Sequence, residues 1–307
     1  MSTLDAEPSE GPALTASASA KRTFRDFLAS PPVEEALRLA HRRPGLAAAA
    51  LYLVLLTIAA FFPTLVTSID PLEANARDAF LGPSFTHLLG TDENGRDVLS
   101  RLIHGASASL LVGTGATTIG LAAGVSLGLI AGLAPRWLNA IVMRLVDVLL
   151  AFPDILLALA IITFWGDGLL NTLIAVGIAS VPRYARMVCA QALVIRRSAY
   201  VEAARTLNLH PLAVVWKHVL PNSIKPVILL ATIGIGGKIS AGAGLSFLGF
   251  GAPPPAPEWG AMLASGRSYL GNAWWLTVFP GLALMLTVLS ITALGRELQR
   301  RSEAKTS

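Results

Sequence analysis

Between two long apolar segments lies the sequence Tyr200-Val201-Glu202-Ala203-Ala204-Arg205-Thr206-Leu207-Asn208, which continues through Trp216-Lys217-His218 to Leu220-Pro221-Asn222. Apolar residues recur at helical spacing on both sides of Pro211. They are Tyr200, Ala203, Ala204 and Leu207 before it, and Leu212, Val215, Trp216 and Val219 after it. Asn208 suits a left-handed residue after the first helix, and Pro211 suits the first turn of the second. The segment is therefore predicted to be a hairpin of two amphipathic helices.

The composition indicates a membrane protein. Hydrophobic residues make up 53% of the 307 residues, charged residues 14%, and the mean hydropathy is +0.61, whereas soluble chains carry about 25% charged residues. A bilayer core about 30 Å thick needs about 20 apolar residues per helix. The fold class is thus expected to be all-α and polytopic, with Pro182 and Arg183 ending or kinking the fourth span. The six predicted spans are 46–67, 107–133, 141–164, 169–190, 224–250 and 274–295.

The distribution of charge predicts the orientation of these spans. Segments 21–43 and 183–225 are rich in Lys and Arg, which places both in the cytosol by the positive-inside rule. The loop 68–106 carries six acidic residues and is expected outside. Six spans with both termini in the cytosol satisfy every loop. Because the basic residues are dispersed among cytosolic segments, a nucleic-acid partner is not expected.

Several kinds of chemistry have no residues to support them. Cys189 is the only cysteine, which excludes intramolecular disulfides and thiolate clusters, and the five histidines form no zinc motif. Gly236-Gly237-Lys238 lacks the flanking residues of a phosphate loop. We expect no metal, no cofactor and no enzymatic activity in this chain. The first 20 residues have a disordered composition, and residues 24–43 could form an interfacial amphipathic helix.

The residue types in the hairpin help to decide between two interpretations of it. Amphipathic connectors often lie on lipid headgroups. However, Glu202-Ala203-Ala204, a turn residue at position 208 and Leu220-Pro221 resemble the EAA loop through which permeases of ABC importers couple to their ATPase. That family usually has Gly where Asn208 stands, and Asn tolerates the left-handed region well. The resemblance implies coupling-loop residues Tyr200, Glu202, Ala203, Ala204, Leu207, Asn208, Pro211, Leu220 and Pro221.

Five further sequence segments make the resemblance to a particular family more specific. In order, they are residues 87–101, Met143-Arg144-Leu145-Val146-Asp147 to Phe152-Pro153, Leu245-Ser246-Phe247-Leu248-Gly249, Trp259-Gly260-Ala261-Met262-Leu263 and Phe279-Pro280-Gly281. They are similar to the C-type subunit of the dipeptide, oligopeptide and nickel permease family. The resemblance implies the type I (MetI-like) importer fold, a B-type permease partner, two ATPase subunits that bind ATP and Mg²⁺, and an external solute-binding protein. It implies the bacterial cytoplasmic membrane as location.

The resemblance also divides the chain. Residues 1–45 are expected to be a cytosolic tail, and residues 46–106 the first span and an external loop. Residues 107–296 would be the permease domain with its coupling loop at 196–222, and residues 297–307 a second cytosolic tail. The external loop contributes the candidate residues Asp92, Gly95, Arg96, Asp97 and Arg101. Asp97 and Arg101 are spaced to pair on a short external helix, and the acidic residues do not follow the calcium-loop pattern.

Lys238 is unusual, because a Lys at the middle of a bilayer costs about 2.5–3.5 kcal/mol on insertion scales. The family commonly has an acid four residues later, where this chain has Gly242. Lys238 is expected either to pair with an acid of the partner permease or to line the translocation path. The candidate path residues are Lys238, Gly242, Ser246 and Phe247.

Two further features leave alternatives open. Small residues recur every fourth position from Ala116 to Gly132, which lets another helix approach closely, either within the subunit or from the partner permease. The function expected first is peptide import, with import of nickel or of modified or antimicrobial peptides as alternatives. A secondary transporter driven by an ion gradient would need intramembrane acids or broken helices in paired halves. Asp147 and Asp154 are the only candidate acids, and the sequence shows no inverted repeat.

Overall fold

The computed structural model describes residues 43–304. The predicted tail up to residue 42, including the interfacial helix proposed for it, and the last three residues lie outside this range. The chain divides into a unit that ends at Ala48 and a second unit that comprises the remainder. The packing reported below is that of the second unit.

The described residues form ten α-helices and no extended strand. A π-helical turn at Val215–Val219 joins α7 to α8, so the helical segment is continuous from Pro211 to Phe247. The helices are α1 (Pro44–Phe61), α2 (Val98–Leu133), α3 (Arg136–Leu150), α4 (Asp154–Trp165), α5 (Leu169–Ile195), α6 (Ala199–Thr206), α7 (Pro211–Val214), α8 (Leu220–Phe247), α9 (Trp259–Gly266) and α10 (Trp275–Ala304).

The all-α, multi-pass prediction is confirmed. Within residues 43–304, five helical segments are long and apolar enough to cross a membrane, and α3 with α4 makes a sixth if that pair is one span. The predicted third span is not straight, because α3 and α4 meet at an angle of 93°. Pro153 explains the break, since a proline lacks the N–H that would continue the helix and disfavours helical geometry in the residue before it.

Two helices continue past the ends of the predicted spans, and each contains a proline. Of the two expectations for the fourth span, an early end at Pro182 is wrong, because α5 continues to Ile195. Helix α10 continues to Ala304, past the predicted end at residue 295, and includes Pro280. Neighbouring helices in a membrane bundle can satisfy the backbone groups that a proline leaves unpaired, so a proline marks a helix end less reliably there than in water.

The core of the bundle is the packing of α2 against α5. A Cβ atom at Gly124 would overlap the side chain of Tyr184, and one at Gly128 would overlap the backbone of Ala185. The strip of small residues on α2 therefore packs inside the subunit, which decides between the two alternatives that the sequence left open. A backbone approach of this kind needs small residues at the crossing.

Helix α8 packs between α2 and α10 by the same means. Gly113 of α2 receives the side chain of Ile239, and Gly295 of α10 receives that of Ile233. The glycines of α8 thus include positions of close helix contact as well as open ones, since a Cβ atom at Gly237 would meet nothing within 4 Å. This packing fixes Lys238, the residue after Gly237, on the inward side of α8.

Candidate functional site

The hairpin has the predicted turn. Helix α6 ends at Thr206, and Asn208 adopts the left-handed conformation with φ +56°. Pro211 is the first residue of α7, and the His210 side chain accepts a hydrogen bond from the backbone N–H of Leu212 at 3.3 Å. The second helix of the hairpin does not end at Leu220-Pro221, because the π-helical turn carries it directly into α8. The hairpin is thus rigidly joined to a membrane-spanning helix.

Most of the predicted apolar stripe faces away from the bundle, and a largely different set of residues packs against it. The residues of the hairpin that pack into the bundle are Val201, Ala204, Val214 and Val219. They contact Ala192 near the end of α5 and are flanked by Leu129 and Leu133 at the end of α2. Of the predicted stripe residues, only Ala204 and Val219 are buried.

The large, exposed residues of the predicted stripe form an apolar surface together with Leu209. Leu207 is 77% exposed and Trp216 is 67% exposed, and Glu202 and Ala203 of the EAA-like motif are also exposed. An exposed cluster of large apolar side chains is typical of an interaction site. We call this surface the hairpin patch, defined by Tyr200, Leu207, Leu209, Leu212 and Trp216.

Helices α4, α5 and α8 enclose a cavity of about 440 Å³ that contains three charged side chains. The Arg183 Nη2 atom lies 2.9 Å from Asp154 Oδ2, and the Lys238 Nζ atom lies 3.8 Å from the same oxygen. Lys238 is only 8% exposed. Its neighbouring acid thus belongs to its own chain, which neither expectation for Lys238 included. The remaining lining is mainly apolar and contains Ile155, Ala158, Val176, Tyr184, Met187, Leu230, Ile233, Gly234, Gly237 and Ala241.

A second ion pair lies beside the first. Arg186, one turn after Arg183 on α5, pairs with Asp147 of α3. Asp147 and Asp154 stand on opposite sides of the 93° break between α3 and α4. Two arginines of α5 therefore form ion pairs with α3 and with α4, and both candidate acids have cationic partners.

The other candidate path residues have structural surroundings of their own. Gly242 faces the Val112 side chain so closely that a Cβ atom would overlap it, so α8 has no room there for a larger side chain. Ser246 is buried, and Phe247 lies beneath the Arg267 guanidinium at 5.1 Å from the ring centroid. Of the four predicted residues, Lys238 alone lines the cavity. Sequence reasoning missed Arg183 as a cavity residue, although a charge inside an apolar span was the available signal.

The loop before α2, which the charge distribution predicts to be external, is built around Asp92. Its carboxylate accepts hydrogen bonds from the backbone N–H groups of Asn94 and Arg96 at 2.9 Å each, and from the Arg96 Nε at 2.8 Å. Gly95 has φ +73°, and a Cβ atom there would overlap the backbone carbonyl of Asn75. These contacts fold residues 91–97 into a closed turn, so Asp92, Gly95 and Arg96 have structural roles.

The predicted Asp97–Arg101 pair is wrong. Asp97 caps the long helix α2 through the N–H of Ser100 at 2.7 Å and lies 3.1 Å from His87 Nδ1. Arg101 turns instead to Asp92 at 3.5 Å and donates to two backbone carbonyl oxygens at 3.1 Å. The helix that carries both residues is the first turn of α2, not a separate short helix. Capping uses the Asp97 carboxylate at the place where the helix N–H groups lack partners.

Glu258 is a further buried charge that the sequence did not reveal. It is 2% exposed and caps α9, accepting hydrogen bonds from the N–H groups of Gly260 at 2.9 Å and Ala261 at 3.0 Å. Burial raises the pKa of Glu258 above its ordinary value, and the hydrogen bonds, including one from Ser246, only partly offset this. Within residues 43–304, no group of three or more His, Cys, Asp or Glu side chains could hold a metal ion.

A multi-pass helical bundle with an exposed helical hairpin and a charged internal cavity defines an integral-membrane transporter subunit. The pattern of the family described as "binding-protein-dependent transport system inner membrane component" matches residues 124–304. The chain belongs to this family of ABC importer permeases.

Curated relatives and solved structures agree with this assignment. A di/tripeptide transport system permease protein of Pseudomonas aeruginosa is 43% identical over 83% of this chain and 86% of its own. A glutathione transport system permease protein of Pectobacterium atrosepticum is 39% identical over 92% of this chain and 94% of its own. The inward-facing methionine ABC transporter MetNI matches 66% of this chain and 95% of its own, with a TM-score of 0.54 and 21% identity. That likeness shows the fold and confirms the type I permease prediction.

Proposed function

We propose that this chain is the permease subunit of an ATP-driven importer for di- and oligopeptides. It forms the translocation path with a B-type permease and receives cargo from an external solute-binding protein. Two separate ATPase subunits bind ATP and Mg²⁺, and this chain holds no nucleotide or cofactor. The proposal places it in the bacterial cytoplasmic membrane, with the hairpin and both termini in the cytosol.

The hairpin patch is the observation that carries this proposal. Its apolar side chains point away from the bundle, while Val201 and Val219 anchor the hairpin to the bundle. A surface that is apolar outside and firmly anchored inside suits the transfer of force from a soluble partner. Helix-in-groove docking of this kind uses apolar anchors at helical spacing.

The relatives support peptides as cargo. Two permeases of dipeptide systems are 41–43% identical to this chain. Glutathione is the second candidate cargo, because the glutathione permeases are 39–40% identical over more than four fifths of the chain. Nickel is disfavoured, since Arg183 and Lys238 outnumber the one acid in the cavity.

An ion-gradient-driven transporter is disfavoured by the ion pairs. Such a mechanism needs an intramembrane carboxylate that is free to bind and release a cation. Asp154 is held by Arg183 at 2.9 Å, and Asp147 is paired with Arg186. Each acid is thus already paired with an arginine of the same chain.

The test changes the exposed EAA-like residues. Glu202→Arg and Ala203→Trp should abolish peptide uptake and the stimulation of ATP hydrolysis, while the amount of permease in the membrane stays normal. Ala203→Ser is the matched control, because it adds only one hydroxyl at the same exposed position. Full uptake by both disruptive variants would refute the coupling role.

A further inference from the structure

The Lys238 ammonium group is paired less closely than the other two charged groups of the cavity, Arg183 and Asp154. Its Nζ atom is 3.8 Å from Asp154 Oδ2, beyond the range of a hydrogen bond, whereas Arg183 binds the same oxygen at 2.9 Å. Among residues 43–304 no hydrogen bond from the Lys238 ammonium is found. Asp154 is therefore satisfied by Arg183, and Lys238 retains donors for another acceptor.

The charge balance of the cavity favours an anion. Arg183 and Lys238 contribute two positive charges, and Asp154 contributes one negative charge. The surrounding side chains, such as Ile155 and Leu230, are apolar and give little compensation. A buried charge without a full partner is costly, so a carboxylate that enters the cavity gains more from Lys238 than it would from an exposed lysine.

The cavity also has space next to the ammonium group. Gly237 precedes Lys238, and a Cβ atom there would meet nothing within 4 Å. The Tyr184 hydroxyl lies against Gly234 on the same lining and provides a further polar group. A volume of about 440 Å³ falls within the range of small-ligand sites, roughly 300–1,000 Å³. Such a space accommodates the end of a peptide.

We propose that Lys238 binds the free C-terminal carboxylate of the peptide as it passes through this cavity, with Arg183 remaining on Asp154. The inference rests on the proposed function and names the recognised group of the substrate. Lys238 is then a substrate-binding residue, and Asp154 is its counter-ion between transport cycles. Peptides that lack a C-terminal charge should bind with the same affinity whether or not Lys238 is present.

The test measures binding of dialanine and of its C-terminal amide to the purified complete transporter in lipid nanodiscs, without the solute-binding protein. Lys238→Met should weaken binding of dialanine about tenfold or more, the usual effect of losing one charge-assisted hydrogen bond. Binding of the amide should equal that of the wild type. Asp154 keeps Arg183 in this variant, so assembly should be normal. Lys225→Met, which removes an exposed lysine of the same helix, is the control and should change neither affinity.

Two readouts separate this inference from the proposed function. If Lys238→Met leaves dialanine affinity unchanged, or weakens both peptides equally, the carboxylate site is wrong. Uptake of dialanine by cells with and without this gene tests the function independently. Normal uptake without the gene, in a strain that lacks other peptide importers, overturns the function; gene-dependent uptake with equal affinities overturns only the carboxylate site.

Discussion

Trp216→Ala tests whether the hairpin patch docks an ATPase subunit. The Trp216 side chain is 67% exposed on the outer face of the hairpin. A tryptophan buries about 150–250 Å² when fully covered, so roughly 100–170 Å² remains for a partner to cover. At about 25 cal/mol per Å², this area contributes about 2.5–4 kcal/mol, or roughly 60- to 700-fold in affinity.

The assay titrates purified ATPase subunits onto the permease pair in nanodiscs and measures the dissociation constant, with uptake measured in parallel. Trp137→Ala is the matched control, because Trp137 is 65% exposed and lies at the start of α3, outside the hairpin. Trp216→Ala should weaken ATPase binding at least tenfold, and Trp137→Ala should leave it unchanged. ATPase affinity within a factor of three of the wild type for Trp216→Ala would refute the docking surface, as would equal losses in the two variants.

Three further predictions test the orientation, the external loop and the buried acid. In intact spheroplasts, Ser84→Cys should react with an impermeant thiol reagent and Ser198→Cys should not; the opposite pattern would invert the topology. Gly95→Ala should lower stability by about 1–3 kcal/mol, because φ is +73° and the space is filled, whereas Gly271→Ala has open space and should not, as thermal unfolding can measure. The pKa of Glu258 in the folded state is raised above its ordinary 4.5, so the folded state keeps this proton to higher pH than the unfolded state does. The stability should therefore fall as the pH rises above about 4.5, and Glu258→Gln should remove this fall in melting temperature. An identical pH profile in the variant would contradict the prediction.

The sequence predicted the hairpin because its turn depends on local chemistry. Asn208 and Pro211 determine the backbone there without help from distant residues, and both lie as expected. The buried face could not be predicted in the same way. The hairpin carries a second apolar set, which includes Val201 and Val214, and only the ends of α2 and α5 determine which set is covered. Periodicity finds an apolar stripe but not its partner.

The cavity could be predicted only in part. Lys238 was recognised from the cost of its charge, but Asp154 reaches it through the break before α4, which turns that helix by 93° relative to α3. Pro153 indicates that a break is present and does not give its direction. Gly242 shows the same limit, since its role depends on contact with Val112 of α2. Contacts between distant segments decide such roles, and one sequence carries no record of them.

The connection between the hairpin and the cavity follows from helix continuity. Helix α5 carries Arg183 and ends just before the hairpin, and the hairpin continues through the π-helical turn into α8, which carries Lys238. The two helices that leave the hairpin are thus the two that supply the cations of the cavity. The hairpin is separated from α5 only by the short turn at residues 196–198, and it continues into α8 without a break, so a rotation of the hairpin would change the distance between Arg183 and Lys238. Asp154 binds both cations from the bent segment, so the same movement would alter how tightly that carboxylate holds each of them. We therefore expect the Lys238–Asp154 distance to differ between transporter bound to ATP and transporter free of nucleotide, and an unchanged distance in both states would separate the cavity from the coupling movement.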